Sequence, residues 1–240
     1  ANGFGDRITF IRDQMERVSL DAPVDLIVSE CLDSLLIDAR MLPHVLMFRD
    51  QHLAPGGRIM PTRGAIYLVP VETPDAHHDW LGRWPEMKAT YDLDFAPLEA
   101  LARSQSHRRL VGADAPLAPE AEVFTIDLMT AKAETPAFDS EVAFTVSRAG
   151  TLHGFAGYFT VWLTDEITLT TAPDAPATHW QQHFFPIPAL EVTAGDAIAC
   201  RFVVGPATGN KRRLDATLTY TVRREGVGTV AEATAEYLSF

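Results

Sequence analysis

The sequence predicts the closing part of a doubly wound α/β domain followed by an all-β domain, and two observations carry that prediction. Up to Pro61, apolar β-branched runs flank one amphipathic stretch, the β, β-α-β rhythm of an open, mostly parallel sheet. Beyond Pro61 the texture changes to short alternating runs separated by Pro, Gly, Asp and Asn, as in a barrel or sandwich.

Taken in order, Ile8-Thr9-Phe10-Ile11 is predicted as a strand, and Val24-Asp25-Leu26-Ile27-Val28-Ser29-Glu30 as a second that ends in polar residues. Between Met41 and Leu53, the residues Leu42, Val45, Leu46 and Leu53 recur near helical spacing, and Ala54-Pro55-Gly56-Gly57 supplies the stop signals. Arg58-Ile59-Met60-Pro61 resumes as a strand. In the all-β part, Leu214, Ala216, Leu218, Tyr220 and Val222 alternate with Asp215, Thr217, Thr219 and Thr221, the pattern of a strand with one wet face. Similar runs lie at 65–71, 123–129, 141–146, 155–163 and 197–204. Residues 79–119 break the rhythm with Trp80 and Trp84, a predicted helix over 97–110 and a Pro/Ala-rich exit, and read as an insertion projecting from the barrel.

Composition narrows the function classes. Of 240 residues, 47% are hydrophobic and 22% charged, which suits a packed core. The formal net charge of -12 disfavours a phosphate-backbone partner and suits a cationic substrate. No run approaches the ~18 apolar residues of a membrane helix, and no signal-peptide pattern is visible, so no membrane partner and a cytoplasmic location are expected. Cys31 and Cys200 stand far apart with no ligand-like spacing, which points to free buried thiols and no metal site. The chain opens on Ala1 and runs almost directly into a strand, so it reads as part of a longer protein.

Glu30 follows its apolar run immediately, at the carboxyl end of a parallel strand, where open α/β sheets place ligands. The next stretch, Cys31-Leu32-Asp33-Ser34-Leu35-Leu36-Ile37-Asp38-Ala39-Arg40-Met41-Leu42-Pro43, sets acids among apolar residues and could hold a cation in a dry pocket.

Residues 24–43 resemble the strand and double-glutamate loop of the protein arginine methyltransferases. In the same order, Arg12-Asp13-Gln14-Met15-Glu16-Arg17-Val18 is similar to the family's adenine-contacting segment, with Met15 and Glu16 at the contacting positions. Leu53-Ala54-Pro55-Gly56-Gly57-Arg58-Ile59-Met60-Pro61 is similar to its last core strand, and Thr178-His179-Trp180-Gln181-Gln182 matches its Thr-His-Trp loop. The resemblance implies a Rossmann-like methyltransferase sheet over 1–61 and a substrate-binding β-barrel over 62–240, with 79–119 as a helical dimerisation arm.

It also implies S-adenosyl-L-methionine as cofactor, an arginine-containing protein or peptide as substrate, and a homodimer burying Trp80, Leu81, Trp84, Leu93, Phe95, Leu98 and Leu101 between subunits. Glu30 would bind the guanidinium, with His179 beside it to take up the released proton, and Met41 would line the methyl-transfer site. Trp180 would pack the loop against the nucleotide-binding domain, and Thr178 would belong with it and Asp38 to the substrate loop. Asp33 matches the monomethylating branch. Where the family's second glutamate stands, this chain has Ala39, flanked by Asp38 and Arg40, so Asp33 or Asp38 would have to supply the missing charge. A different nucleophile, or a catalytically silent relative that binds protein partners, are the alternatives this departure leaves open.

The resemblance further implies that the strands at Ile8 and Val24 are separated in space by strands that the 240 residues do not include. On that reading residues 1–60 would be disordered, rearranged or aggregation-prone in isolation, the barrel would fold from about Thr62 on its own, and the chain alone would bind no S-adenosyl-L-methionine.

Overall fold

The structure is a computed structural model that describes residues 3–37, 41–134 and 137–238, the side chains of Met41, Lys211 and Arg212 excepted. Its first regular strand, β1 (Val24–Val28), pairs in parallel with β2 (Leu53–Met60), and helix α1 (Met41–His52) connects the two. Because strand side chains alternate, Ile27 and Ile59 face the core with Leu42, Val45 and Leu46 of α1, while Leu26 and Val28 are 50% and 68% exposed on the other face. The glycine-proline signal after α1 acts inside the strand instead of before it. Pairing passes from Val24 with Leu53 directly to Leu26 with Arg58, and the residues between bulge out around Gly56 at φ 81.

The expected strand at Ile8-Thr9-Phe10-Ile11 is not formed; this segment is exposed, Phe10 at 87%. A strand needs a neighbour for its backbone N–H and C=O groups, and no described residue supplies one. Residues 24–37 and 41–60 are folded onto the barrel, with Leu35, Leu36 and Ile37 each 2% exposed. Arg49 of α1 fastens the junction: its guanidinium, 6% exposed, donates to Leu128 O and Ala131 O, both at 2.6 Å.

The barrel is built from two antiparallel sheets around one core. Strands β3 (Arg63–Val71), β4 (His107–Arg109), β5 (Ala121–Asp127), β7 (Gly150–Trp162) and β9 (Gln182–Val192) form one in the order β4-β9-β7-β3-β5, with β8 (Thr168–Thr170) beside β7. The other contains β6 (Phe138–Thr145), β10 (Ala197–Ala207), β11 (Asn210–Arg224) and β12 (Gly228–Tyr237), in the order β12-β11-β10-β6. The alternation in β11 behaves as predicted, with Leu214, Ala216, Leu218, Tyr220 and Val222 all buried. Aromatic rings lock the sheets together: Phe155 on Tyr220 at 5.9 Å, Phe185 on Phe202 and on Tyr237 at 5.1 Å, and the Tyr237 hydroxyl donating to Pro186 O at 2.7 Å. Of the two thiols, Cys200 is buried in this core, and burial pushes it up to about 12; Cys31 is only half-buried.

β7 is covered on both faces. Phe155 and Phe159 face the barrel core, while Ala156 and Tyr158 join Val69, Val71, Val111, Ala115 and Phe184 in a second cluster beneath the helical excursion. That excursion contains α2 (Pro74–His77), a π-helical turn (His78–Gly82), α3 (Trp84–Tyr91) and α4 (Ala96–Arg103). The helix expected over 97–110 ends at Arg103, because His107–Arg109 pairs with β9 instead. The excursion has its own small core of Leu81, Trp84 and Ala102, backed by Trp80, Met87 and Phe95. Trp80, Leu81 and Trp84 are therefore satisfied within one chain, whereas Leu93, Leu98 and Leu101 are 58%, 50% and 52% exposed. No helix among the described residues is long and apolar enough to cross a membrane.

Candidate active site

Glu30 stands just beyond β1, whose pairing continues one residue further as Ser29 N–H donates to Met60 O at 2.9 Å. This fixes the backbone from which the carboxylate projects, leaving the side chain 73% exposed. The chain then turns tightly. Leu32 N–H donates to Glu30 O and Leu36 N–H to Asp33 O, both at 2.8 Å, and Leu36 takes a left-handed φ of 64.

The second contribution comes from the connection between β8 and β9. Thr178-His179-Trp180-Gln181 forms a turn closed by Gln181 N–H to Thr178 O at 3.2 Å, with Gln181 at φ 56. Trp180 anchors it. Its ring, 9% exposed, meets Phe159 edge-on at 5.7 Å, and its indole N–H donates to Leu32 O at 3.2 Å, tying this turn to the loop after Glu30. His179 lies on the Trp180 ring at 4.0 Å between centroids, and its Nε2 comes to 3.7 Å from Glu30 Oε1. With His179 69% and Glu30 73% exposed, such a pair contributes at most ~1 kcal/mol to stability. Its interest is chemical: an open carboxylate able to accept two guanidinium N–H groups, beside an imidazole able to take a proton.

The other expected residues fall as follows. Asp33 turns its carboxylate onto its own loop, accepting Ser34 N–H at 2.7 Å. Thr178 Oγ1 is buried with no hydrogen-bond partner among the described residues. Met15 and Glu16 form a 3₁₀ turn (Met15–Arg17) against α1, where Glu16 meets His44 Nε2 at 3.1 Å and Val18 O meets His52 Nε2 at 3.1 Å. Met41 is the first residue of α1, while Asp38 and Ala39 lie outside the described residues.

Sequence reasoning missed a buried histidine beneath the loop. His183 Nδ1 is 2.8 Å from Ser34 Oγ, and its Nε2 is 2.8 Å from Ser106 Oγ. Burial, with His107 and Arg108 nearby, pushes His183 down to about 3. The signal was present in the period of β9, since His183 shares its face with Phe185 and Ile187 of the core.

A family profile described as the arginine methyltransferase oligomerization subdomain matches residues 62–225. Similar relatives include protein arginine N-methyltransferase 1 of Schizosaccharomyces pombe, 33% identical over 92% of this chain and 65% of its own length. The protein of that name from Saccharomyces cerevisiae is 30% identical over 94% of this chain and 66% of its own. The chain thus spans about two thirds of the length of the curated relatives it matches. Among solved structures, the Trypanosoma brucei PRMT1 enzyme-prozyme heterotetrameric complex with AdoHcy shares the fold at a TM-score of 0.88 and 25% identity, over 100% of this chain and 75% of that one. Arabidopsis thaliana protein arginine methyltransferase 10 gives 0.77 at 22% identity, over 93% and 72%. With a profile match over more than half of its residues and relatives at this level of identity, the chain belongs to the protein arginine methyltransferase family.

Proposed function

We propose that the protein containing this chain is an S-adenosyl-L-methionine-dependent N-methyltransferase acting on the guanidino group of arginine in proteins or peptides. The observation that carries this reading is the meeting of Glu30 with the His179-Trp180 turn, from segments far apart in sequence. The cofactor supplies an electrophilic methyl group when bound. The residues present fit its adenine end: at the start of the Met15–Arg17 turn a backbone N–H is available as donor, and the Glu16 carboxylate as acceptor for an amino group.

In this reading Glu30 binds the guanidinium, fixes its plane and concentrates electron density on the attacking nitrogen, because a group with a pKa above ~12 arrives charged. His179, 3.7 Å from Glu30, accepts the proton released as product forms. The natural assembly is a cytoplasmic two-fold homodimer, with the helical excursion as its arm; the oligomerization-subdomain match and the exposed Leu93, Leu98 and Leu101 support it.

Methyl transfer from labelled cofactor to arginine-rich peptides by the full-length protein tests the assignment. Glu30→Gln, which removes the charge but keeps the shape, should lower the rate about 10- to 150-fold, the equivalent of one lost charge-assisted hydrogen bond. Equal rates for the two proteins would remove Glu30 from the chemistry.

A second reading, a silent subunit that supports an active partner, is favoured by Ala39 at the position of the second glutamate. The Trypanosoma brucei structure, described as an enzyme-prozyme complex, shows such pairing in a protein of this fold. Cofactor binding or dimerisation without transfer to any nucleophile would support this reading, and transfer to nucleophiles other than arginine would indicate a changed substrate. Ala39→Glu separates them further: a gain of about 10- to 150-fold in arginine methylation marks a weakened enzyme, and no gain a silent one.

A further inference from the structure

The loop after Glu30 has little regular structure, yet Ser34, Leu35, Leu36 and Ile37 are each 2% exposed. The sheet beneath explains how it is held. A Cβ on Gly157 of β7 would lie 2.5 Å from Leu35 Cδ2, and one on Gly64 of β3 would lie 2.6 Å from Leu36 Cδ2. Both leucines therefore sit in notches that any side chain on those strands would fill. Ser34, immediately before them, is joined by its hydroxyl to His183 Nδ1 on β9, and the opposite nitrogen of the same ring meets Ser106, the residue before β4. Ser106 belongs to the return of the helical excursion into the barrel. One imidazole thus bridges groups 149 and 77 residues away from it in sequence.

The charge state of the ring gives the bridge a direction. Held neutral by burial, His183 has one N–H and one lone pair, so one serine donates to it and the other accepts from it. A serine at either end that moves away breaks one of the two serine hydrogen bonds that hold the ring, which shares its face of β9 with the fully buried Phe185. Losing either bond frees the ring that the other bond depends on, so a displacement at one end is felt at the other. The leucine notches fix depth; the bridge adds a connection to the arm that packing alone does not provide.

We propose that His183 is a positioning residue. Through Ser34 and Ser106 it makes the placement of the Glu30 loop depend on the seating of the arm's return strand, so that a seated arm raises the fraction of molecules whose Glu30 is set for chemistry. The inference rests on the reading of Glu30 as the guanidinium-binding acid. It concerns Ser34, Ser106 and His183 alone and asks nothing of the cofactor.

The experiment uses the full-length protein and the Ser106→Ala and Ser106→Thr variants, Ser106 being only half-buried and distant in sequence from the loop it is argued to affect. Amide hydrogen exchange at 32–37 is followed together with kcat and KM for an arginine-rich peptide. With Ser106→Ala, exchange at 32–37, including the Leu36 amide bonded to Asp33 O, should quicken about tenfold, and kcat should fall severalfold with KM within about twofold. Ser106→Thr, which keeps the hydroxyl, should restore both. Unchanged exchange in the loop overturns the proposal, and so does exchange that quickens equally across the barrel strands, since that is general loosening. If the parent protein transfers no methyl group to arginine, the functional reading fails, while the exchange comparison still decides the bridge.

Discussion

Glu30 and His179 show how little folding energy it takes to bring a carboxylate and an imidazole together. Both side chains are mostly exposed, and what places them is the burial of their neighbours: Trp180 on one side, and Leu35 with Leu36 on the other. Trp180→Phe tests the neighbour's polar share. It keeps an aromatic ring but loses the indole N–H to Leu32 O, and should cost about 0.5 to 1.5 kcal/mol in denaturant unfolding. Glu30, His179 and Trp180 were legible because each belongs to a contiguous motif. Ser34, Ser106 and His183 were not, since their relation exists only after three distant segments have met.

The buried histidines set an acid limit. Burial holds His183 at about 3 and His107 at about 4, both below the ordinary value of 6.5. Their neutral forms are favoured by the fold, so their contribution is complete above pH 6.5 and is lost as pH falls from 6.5 toward those values. Each ring should steepen the loss by up to about 1.4 kcal/mol per pH unit in that window. Unfolding free energies measured between pH 7 and 4.5 should therefore decline, and His107→Phe, whose ring nitrogens have no hydrogen-bond partner among the described residues, should flatten the decline. An unchanged slope would show that His107 takes up no proton on unfolding.

At the scale of elements, the strands with clean alternation were read within a few residues, and those missed were disguised. β9 contains Pro186 and Pro188, which argue against a central strand. The structure accommodates Pro186 beside a register shift, where β7 pairing passes from Leu152 with Leu190 to Gly154 with Pro186. β12 buries little besides Tyr237 and relies on alanines, too small for a periodic signal. The strand read at Ile8 had the right residues but no neighbour. Between elements, Arg49 ties α1 to the barrel through two carbonyls. Arg49→Ala would leave Leu128 O and Ala131 O without their donor, at about 1 to 3 kcal/mol for each carbonyl that stays buried, read as a lowered denaturation midpoint. A change below 0.5 kcal/mol would show that water replaces the guanidinium there.

At the scale of the whole molecule, the apolar residues of the excursion divide into two sets. One closes its own core, and the other, Tyr91, Leu93, Leu98 and Leu101, faces outward at 50–62% exposure. In the proposed homodimer this second set is covered. The joint change Leu98→Glu and Leu101→Glu should bring the full-length protein from a dimeric to a monomeric mass at micromolar concentration, with its thermal midpoint little altered because Leu81, Trp84 and Ala102 are untouched. A mass unchanged by the substitutions would place the contact elsewhere.

The small core of the excursion has a consequence for descent as well as for folding. A module that satisfies its own Leu81, Trp84 and Ala102 exposes its outer face to selection without exposing the barrel, so in the proposed homodimer substitutions there would alter which chains pair while leaving the chemistry inherited. Duplicated copies of such a gene have a short route to mixed assemblies: the outer face drifts, the inner face stays, and one subunit is free to lose a catalytic carboxylate while its partner retains it. On the proposed roles of these residues, Ala39 in a chain that has Glu30, His179 and Trp180 is the kind of mark such a history would leave.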